Sequence, residues 1–92
     1  MFSLRHFFDP NVKVACQRAV QHVREKHPDY FVGSARLRAE EEARYVIAVF
    51  YRDPANPKIP DPYMLFTIPK NGGTVQELEC TPQSPYWIRG RK

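Results

Sequence analysis

The chain has 92 residues, of which 42% are apolar, 13% aromatic and 26% charged, and its formal net charge is +4. This length predicts one domain over residues 1–92 with a thin core, and the aromatic content is higher than that of disordered chains. No apolar run approaches the ~18 residues that a membrane-spanning helix needs, so no such helix is predicted.

The first predicted element is a helix between Pro10 and Lys26. Asp9 suits the N-cap, and Pro10 suits the first helical position, where its missing N–H would have no partner. Pro28 ends the helix, because the residue before a proline is disfavoured in the α region. A single apolar stripe follows the 3.6-residue period and predicts one buried face. The stripe comprises Val12, Cys16, Ala19, Val20 and Val23.

Two strands are predicted next. Residues 30–38 alternate, with Phe31 and Leu37 on one side and Tyr30, Arg36 and Arg38 on the other, which indicates a half-buried strand. Residues 39–50 fit either a helical stripe or a second strand. The strand is favoured, because residues 45–51 are dense in β-branched and aromatic side chains and leave no polar face. Residues 40–42 then form an exposed hairpin connection.

A stiff loop and a second hairpin follow. Four prolines fall within residues 53–62, which restricts this segment to extended shapes, and its length predicts a recognition element rather than a passive connection. Residues 63–68 are predicted as a strand, Asn71-Gly72 as a two-residue type I′ turn, and residues 74–80 as the strand that pairs back. Pro69 lacks an N–H donor and therefore belongs at a strand end or an open edge.

This order of elements predicts an α+β domain in which one N-terminal helix packs on a four-stranded antiparallel meander sheet. The arrangement resembles the α-β-β-β-β architecture of cystatin-like domains. The Gln-x-Val-x-Gly segment through which cystatins bind papain-type proteases is absent. The resemblance therefore implies no inhibitory residue in this chain, and a shared fold does not assign a function.

Both faces of the predicted central strands are apolar, and a single helix covers only one of them. The second face requires cover either from the ends of the chain or from another subunit, and both explanations stay open. We expect a homodimer or another protein partner bound through this face. The candidate interface comprises Tyr45, Ile47, Val49, Tyr51, Met64, Phe66 and Ile68.

The alternative function is nucleic-acid binding. Residues 80–92 carry three basic residues and no acid, and Tyr30 shares a predicted strand face with Arg36 and Arg38, an arrangement that suits base stacking and phosphate neutralisation. The glutamates at positions 40–42 would oppose the same phosphates, so a solvated surface with local Arg–Glu pairs is favoured. The candidate phosphate contacts are Arg36, Arg38, Arg89, Arg91 and Lys92.

No catalytic, cofactor or metal motif emerges from the sequence. His22 and His27 are five residues apart on the predicted helix and do not share one metal on its surface. Cys16 and Cys80 are interpreted as small buried hydrophobes rather than nucleophiles. Residues 1–8 do not fit a secretory signal, because polar residues interrupt the apolar run. We therefore expect a cytoplasmic, non-enzymatic interaction module with no cofactor.

Overall fold

The computed structural model describes residues 10–58, 62–81 and 83–86. They form helix α1 and four strands. The elements are α1 (Pro10–Lys26), β1 (Phe31–Glu40), β2 (Arg44–Arg52), β3 (Tyr63–Pro69) and β4 (Gln76–Leu78). Neighbouring strands are antiparallel in the order β1-β2-β3-β4, and α1 packs on one face of this sheet. The predicted α+β fold, one helix on a four-stranded antiparallel meander, is confirmed.

Both ends of α1 agree with the local sequence signals. Pro10 is the first helical residue, where a missing N–H costs no hydrogen bond. At the other end the Val23 carbonyl accepts a hydrogen bond from the His27 N–H at 2.7 Å, just before Pro28. The predicted N-cap, Asp9, lies outside the described residues. The helix therefore begins and ends where the prolines predict.

The buried face of α1 is lined by small side chains. Ala15 and Ala19 are buried at its centre, and Val12 and Val23 are buried toward its two ends. Cys16, a member of the predicted stripe, is only half buried. The stripe is therefore rotated slightly from the predicted one, and its small residues leave room for larger side chains from the sheet.

Residues 39–40 and 44–50 are strand rather than helix, and β1 and β2 form a hairpin through residues 41–43. The predicted connection at residues 40–42 is wrong by one residue, because Glu40 still pairs with Tyr45 at the end of β1. β1 carries two irregularities in its pairing, one between Val32 and Ser34 and one between Leu37 and Ala39. A bulge places an extra residue on one strand opposite a single residue of the other. The alternation of faces along β1 is therefore reset at each irregularity.

The second hairpin differs from the prediction. β4 comprises only Gln76–Leu78, so the connection after β3 spans residues 70–75 instead of two residues. A tight turn still begins it, because the Gly72 N–H donates to the Pro69 carbonyl at 3.2 Å and Gly72 has a φ of 87° that glycine adopts without strain. Asn71 Oδ1 accepts a hydrogen bond from the Gly73 N–H at 2.9 Å. The Asn-Gly pair thus marks a turn, but the strands do not resume immediately after it.

Two apolar clusters lie on opposite sides of the sheet. One lies beneath α1. We call the sheet face opposite α1 the outer face, and the second cluster lies there. The outer cluster comprises Val46, Ala48, Tyr63 and Leu65, with Ala39, Phe50, Leu78, Cys80 and Tyr86 packed against it. The centre of the outer face is therefore buried by residues of the same chain.

Candidate functional site

A row of arginines follows β1 and β2 on the outer face. Arg36 lies opposite Ala48, a member of the outer cluster, so both side chains are on this face. The two-residue period along β2 places Arg44 and Arg52 on the same face as Ala48. Arg38 also lies on this face, where its Nε donates a hydrogen bond to the carbonyl of Tyr86, a residue packed on the outer cluster. These four arginines form the arginine row.

The neighbouring glutamates cancel only part of this charge. Glu40 is paired in register with a residue of the cluster beneath α1, and its carboxylate accepts a hydrogen bond from Lys70 Nζ at 2.9 Å. Glu41, in the hairpin turn, contacts Arg44 and Tyr86 at one end of the row. The expected opposition of glutamates 40–42 to the arginine face is therefore wrong for Glu40, because it lies on the other side of the sheet.

Two phenylalanine rings lie near the other end of the row. Phe31 is paired with Arg52 in register and is 65% exposed. The guanidinium carbon of Arg36 lies 5.9 Å from the centroid of the half-buried Phe50 ring, within the range of a cation–π contact. The Phe50 ring in turn packs on Tyr63, with centroids 5.7 Å apart. Flat apolar rings and positive charges therefore share this part of the outer face.

Residues 83–86, which we call the strap, lie against the outer face and are anchored through Tyr86. The Tyr86 hydroxyl donates to the Glu41 carboxylate and accepts from Arg44 Nη2 at 3.5 Å. The Tyr86 carbonyl accepts from Arg38 Nε at 2.9 Å, and its N–H donates to Ser84 Oγ at 3.2 Å. The strap therefore covers part of the apolar centre and reaches one end of the arginine row.

The contacts around Tyr86 also change the ionisation of their partners. They lower the pKa of the Glu41 carboxyl, with the hydrogen bond from Tyr86 as the largest cause and that from Arg44 next. The same contacts raise the pKa of the Arg44 guanidinium, with the bond to Glu41 as the largest cause. Both groups are therefore charged at neutral pH, and both contact the Tyr86 hydroxyl.

The predicted interface lies on the opposite side of the sheet from the one expected. Most of its members are buried beneath α1, and Met64 packs against the same cluster. The assignment of these side chains to the face opposite the helix is wrong. The physical reason is that the small residues of α1 accommodate the larger set of β2 and β3 side chains. The buried members are Tyr45, Ile47, Val49, Phe66 and Ile68.

Tyr30 does not share the arginine face. Its ring stacks on His27 and on Tyr51, with centroid separations of 4.5 Å and 4.6 Å, and it packs against the cluster beneath α1. The bulge at Gly33 explains the difference, because it resets the alternation between Tyr30 and Arg36. Tyr51, the remaining member of the predicted interface, is therefore half buried in an aromatic stack rather than free to contact a partner.

The candidate phosphate contacts are only partly described. Arg36 and Arg38 lie together on the outer face, as predicted from their strand. Arg52 belongs with them but was not a sequence candidate, because the predicted strand ended at Tyr51. The two-residue period would have identified Arg52 in a strand one residue longer. The candidates outside the described residues are Arg89, Arg91 and Lys92.

The two cysteines lie on opposite sides of the sheet. Cys16 packs beneath α1, and Cys80 packs on the outer cluster with its Sγ 3.6 Å from the Tyr63 carbonyl oxygen. Burial raises the pKa of both thiols, which lowers the fraction of nucleophilic thiolate. Over residues 10–58, 62–81 and 83–86, no group of three or more His, Cys, Asp or Glu is placed to hold a metal ion.

No protein-family model, curated protein or solved structure matches this chain. The resemblance to cystatin-like domains therefore remains a likeness in the order and packing of elements, and membership of that family is not confirmed. Within the part of the chain that the structure describes, no helix is long and apolar enough to cross a membrane.

Proposed function

We propose that this chain is a small, non-enzymatic binding module of the cytoplasm that binds an anionic partner through its outer face. The observation that carries the proposal is the arginine row. Its four guanidinium groups lie on a face to which β1 and β2 contribute no carboxylate. A surface of one charge sign steers a partner of the opposite sign and raises its local concentration.

Two members of the row are available to a ligand. Arg36 and Arg52 are exposed, and neither forms an ion pair with any residue that the structure describes. The planar guanidinium fork binds carboxylates and phosphates through two parallel hydrogen bonds. Arg44, by contrast, is engaged by Glu41. The part of the row nearest Phe31 is therefore the proposed point of contact.

The cysteines support the other parts of the proposal. Both thiols have a raised pKa, so each is protonated at neutral pH and is a weak nucleophile. They lie in different clusters, separated by the sheet, and do not pair with each other. Two unpaired thiols fit a protein of a reducing compartment such as the cytoplasm.

Heparin, a polyanion without bases, tests whether charge on the outer face binds a partner. Titration calorimetry should show binding at low salt that weakens in the double variant Arg36→Ala/Arg52→Ala. The matched control, Lys13→Ala/Arg24→Ala, removes the same charge from exposed positions of α1 and should bind as the unmodified protein does. Equal losses in both double variants, or no binding at low salt, would contradict the proposal.

Self-association is a second candidate function. The sequence predicted self-association through an uncovered apolar face opposite the helix. The structure weakens this reason, because Val46 and Leu65 of the outer face are fully buried within one chain. The ten-residue strand β1 offers another route, since it forms an edge of the sheet. Edge strands present backbone groups that pair with a second chain, and two copies joined along β1 would form a two-fold dimer.

Light scattering at micromolar concentration tests this second candidate. Pairing along β1 predicts a mass twice the 10.8 kDa of one chain. A monomer that persists as the concentration is raised would contradict it. The arginines and bulges of β1 are features by which edge strands avoid such pairing, so anion binding remains the first proposal.

A further inference from the structure

We propose that the anion bound by the outer face is single-stranded nucleic acid, with a base stacked on Phe31 and phosphates held by Arg36 and Arg52. This inference rests on the proposed function, because it names the class of anion that the same face binds. It is carried by the exposed ring beside the arginines rather than by charge alone.

The exposed ring of Phe31 separates nucleic acid from other anions. Phe31 is 65% exposed, whereas phenylalanine is among the residues most often buried. Every base has a flat π face that stacks on an aromatic ring without regard to sequence. An acidic peptide or a sulphated sugar offers carboxylates or sulphates to the arginines but does not offer an aromatic face in every repeat.

The order of groups along the strands fits a repeating ligand. Phe31 is paired with Arg52, Ser34 with Phe50, and Arg36 follows in the next row. Residues on one face of a strand recur about every 6.6–6.8 Å, a step comparable with the rise of one nucleotide in an extended single strand. The first of these rows therefore places a ring beside a guanidinium group, and the guanidinium group of Arg36 lies two rows farther along the same face.

The geometry disfavours double-stranded ligands. In a duplex the base faces are stacked on one another, and only the base edges are open in the grooves. Phe31 would then meet sugar and phosphate instead of a π face. The outer face is therefore suited to single strands or to unpaired loops.

The strap limits the length of the track. Arg38 donates to the Tyr86 carbonyl, so the strap begins where the arginine row approaches the hairpin turn. Among the residues that the structure describes, Arg36, Arg52 and Phe31 are the exposed groups of the row and its rings beyond Arg38. Two steps of about 6.6–6.8 Å separate the row of Phe31 from that of Arg36, a length that accommodates about three nucleotides, close to the lower end of the range for small single-strand-binding domains.

Fluorescence anisotropy with a fluorescein-labelled oligothymidylate of about 12 nucleotides tests the inference. Phe31→Ala should weaken binding about 5- to 150-fold, the effect of losing one stacked base. The matched control is Val14→Ala, because Val14 is 52% exposed on α1, and it should leave binding unchanged. Circular dichroism should show that both variants fold, since neither side chain is buried.

The salt dependence tests the phosphate contacts. Removing two contacts in Arg36→Ala/Arg52→Ala should reduce the magnitude of the log–log salt slope by about 1.4, at about 0.7 per contact. Lys13→Ala/Arg24→Ala should leave the slope unchanged. A duplex of the same length should bind more weakly than the single strand.

The outcomes distinguish the two proposals. If Phe31→Ala binds the oligonucleotide as the unmodified protein does, or if the duplex binds as tightly as the single strand, the inference is overturned while heparin binding still supports an anion-binding face. If neither heparin nor the oligonucleotide binds, or if the α1 double variant loses as much binding as the outer-face double variant, both proposals fail.

Discussion

Replacing Leu65 with alanine tests whether the outer face is a core in its own right. Leu65 is 0% exposed in the outer cluster and lies opposite Leu78 of β4. Ile68, on the same strand, is 2% exposed beneath α1. Leu65→Ala and Ile68→Ala therefore remove side chains of similar size from the two faces of β3.

The two variants should lose comparable stability. Replacing a buried Leu or Ile with Ala costs about 2–5 kcal/mol, the sum of lost burial and the cavity that remains. With a urea m-value of about 1–3 kcal/mol/M, a loss of about 3 kcal/mol lowers the unfolding midpoint by about 1–3 M. Urea unfolding followed by circular dichroism measures both free energies of unfolding.

A loss below about 1 kcal/mol for Leu65→Ala, beside a full loss for Ile68→Ala, would refute this reasoning, because only a solvated side chain is removed at so small a cost. The outer face would then be open, and the apolar dimer interface would again be the leading explanation. If the alanine variants are too unstable to fold, Leu65→Val and Ile68→Val compare the same faces with smaller deletions.

Three further predictions concern the strap, the turn after β3 and the thiols. The hydrogen bond from Tyr86 is the largest cause of the lowered pKa of Glu41, whose ordinary value is 4.5. The stability that this contact contributes is therefore present above that value and is lost as the pH falls through the folded pKa. Tyr86→Phe should lower the urea midpoint at neutral pH more than in strong acid, and a difference independent of pH would count against this account. Gly72→Ala should cost about 1–2 kcal/mol in urea unfolding, because φ is positive there. Gly33→Ala, whose nearest contact would be a backbone oxygen at 3.5 Å, should cost less, and equal losses would contradict the role of φ. Both thiols should react with a disulfide reagent more slowly in the folded protein than in urea, since burial raises their pKa; equal rates would show that they are not protected.

Local signals in the sequence identified each element, although β4 is shorter than predicted. Pro10 and Pro28 marked the ends of α1, and the β-branched run of residues 45–51 identified the central strand. These signals depend on a few neighbouring residues, so the tertiary packing does not change the elements that they predict. The arginines of the outer face were likewise visible, because Arg36 lies in a strand whose alternation is regular between its two bulges.

The sequence did not predict which face of the sheet α1 covers. Both faces of β2 and β3 are apolar, and the packing of α1, with small residues at its centre, decides which set of side chains it covers. The bulge at Gly33 places Tyr30 on the helix side of the sheet, and no local sequence pattern predicts a bulge of this kind. Cover by the end of the chain was one of the two explanations left open for the second face, and Tyr86 supplies part of that cover. The contact of Tyr86 with Glu41, across 45 positions of sequence, was not predicted.

Backbone amide chemical shifts test the central claim, that the outer face binds an anionic partner, most directly. Isotopically labelled protein is titrated with a heparin oligosaccharide at low salt, and the shift of each amide signal is followed. The account predicts the largest changes on β1 and β2, around Phe31, Arg36 and Arg52, with the amides of α1 unchanged. Changes centred on α1 or on residues 70–75, with β1 and β2 unaffected, would contradict it.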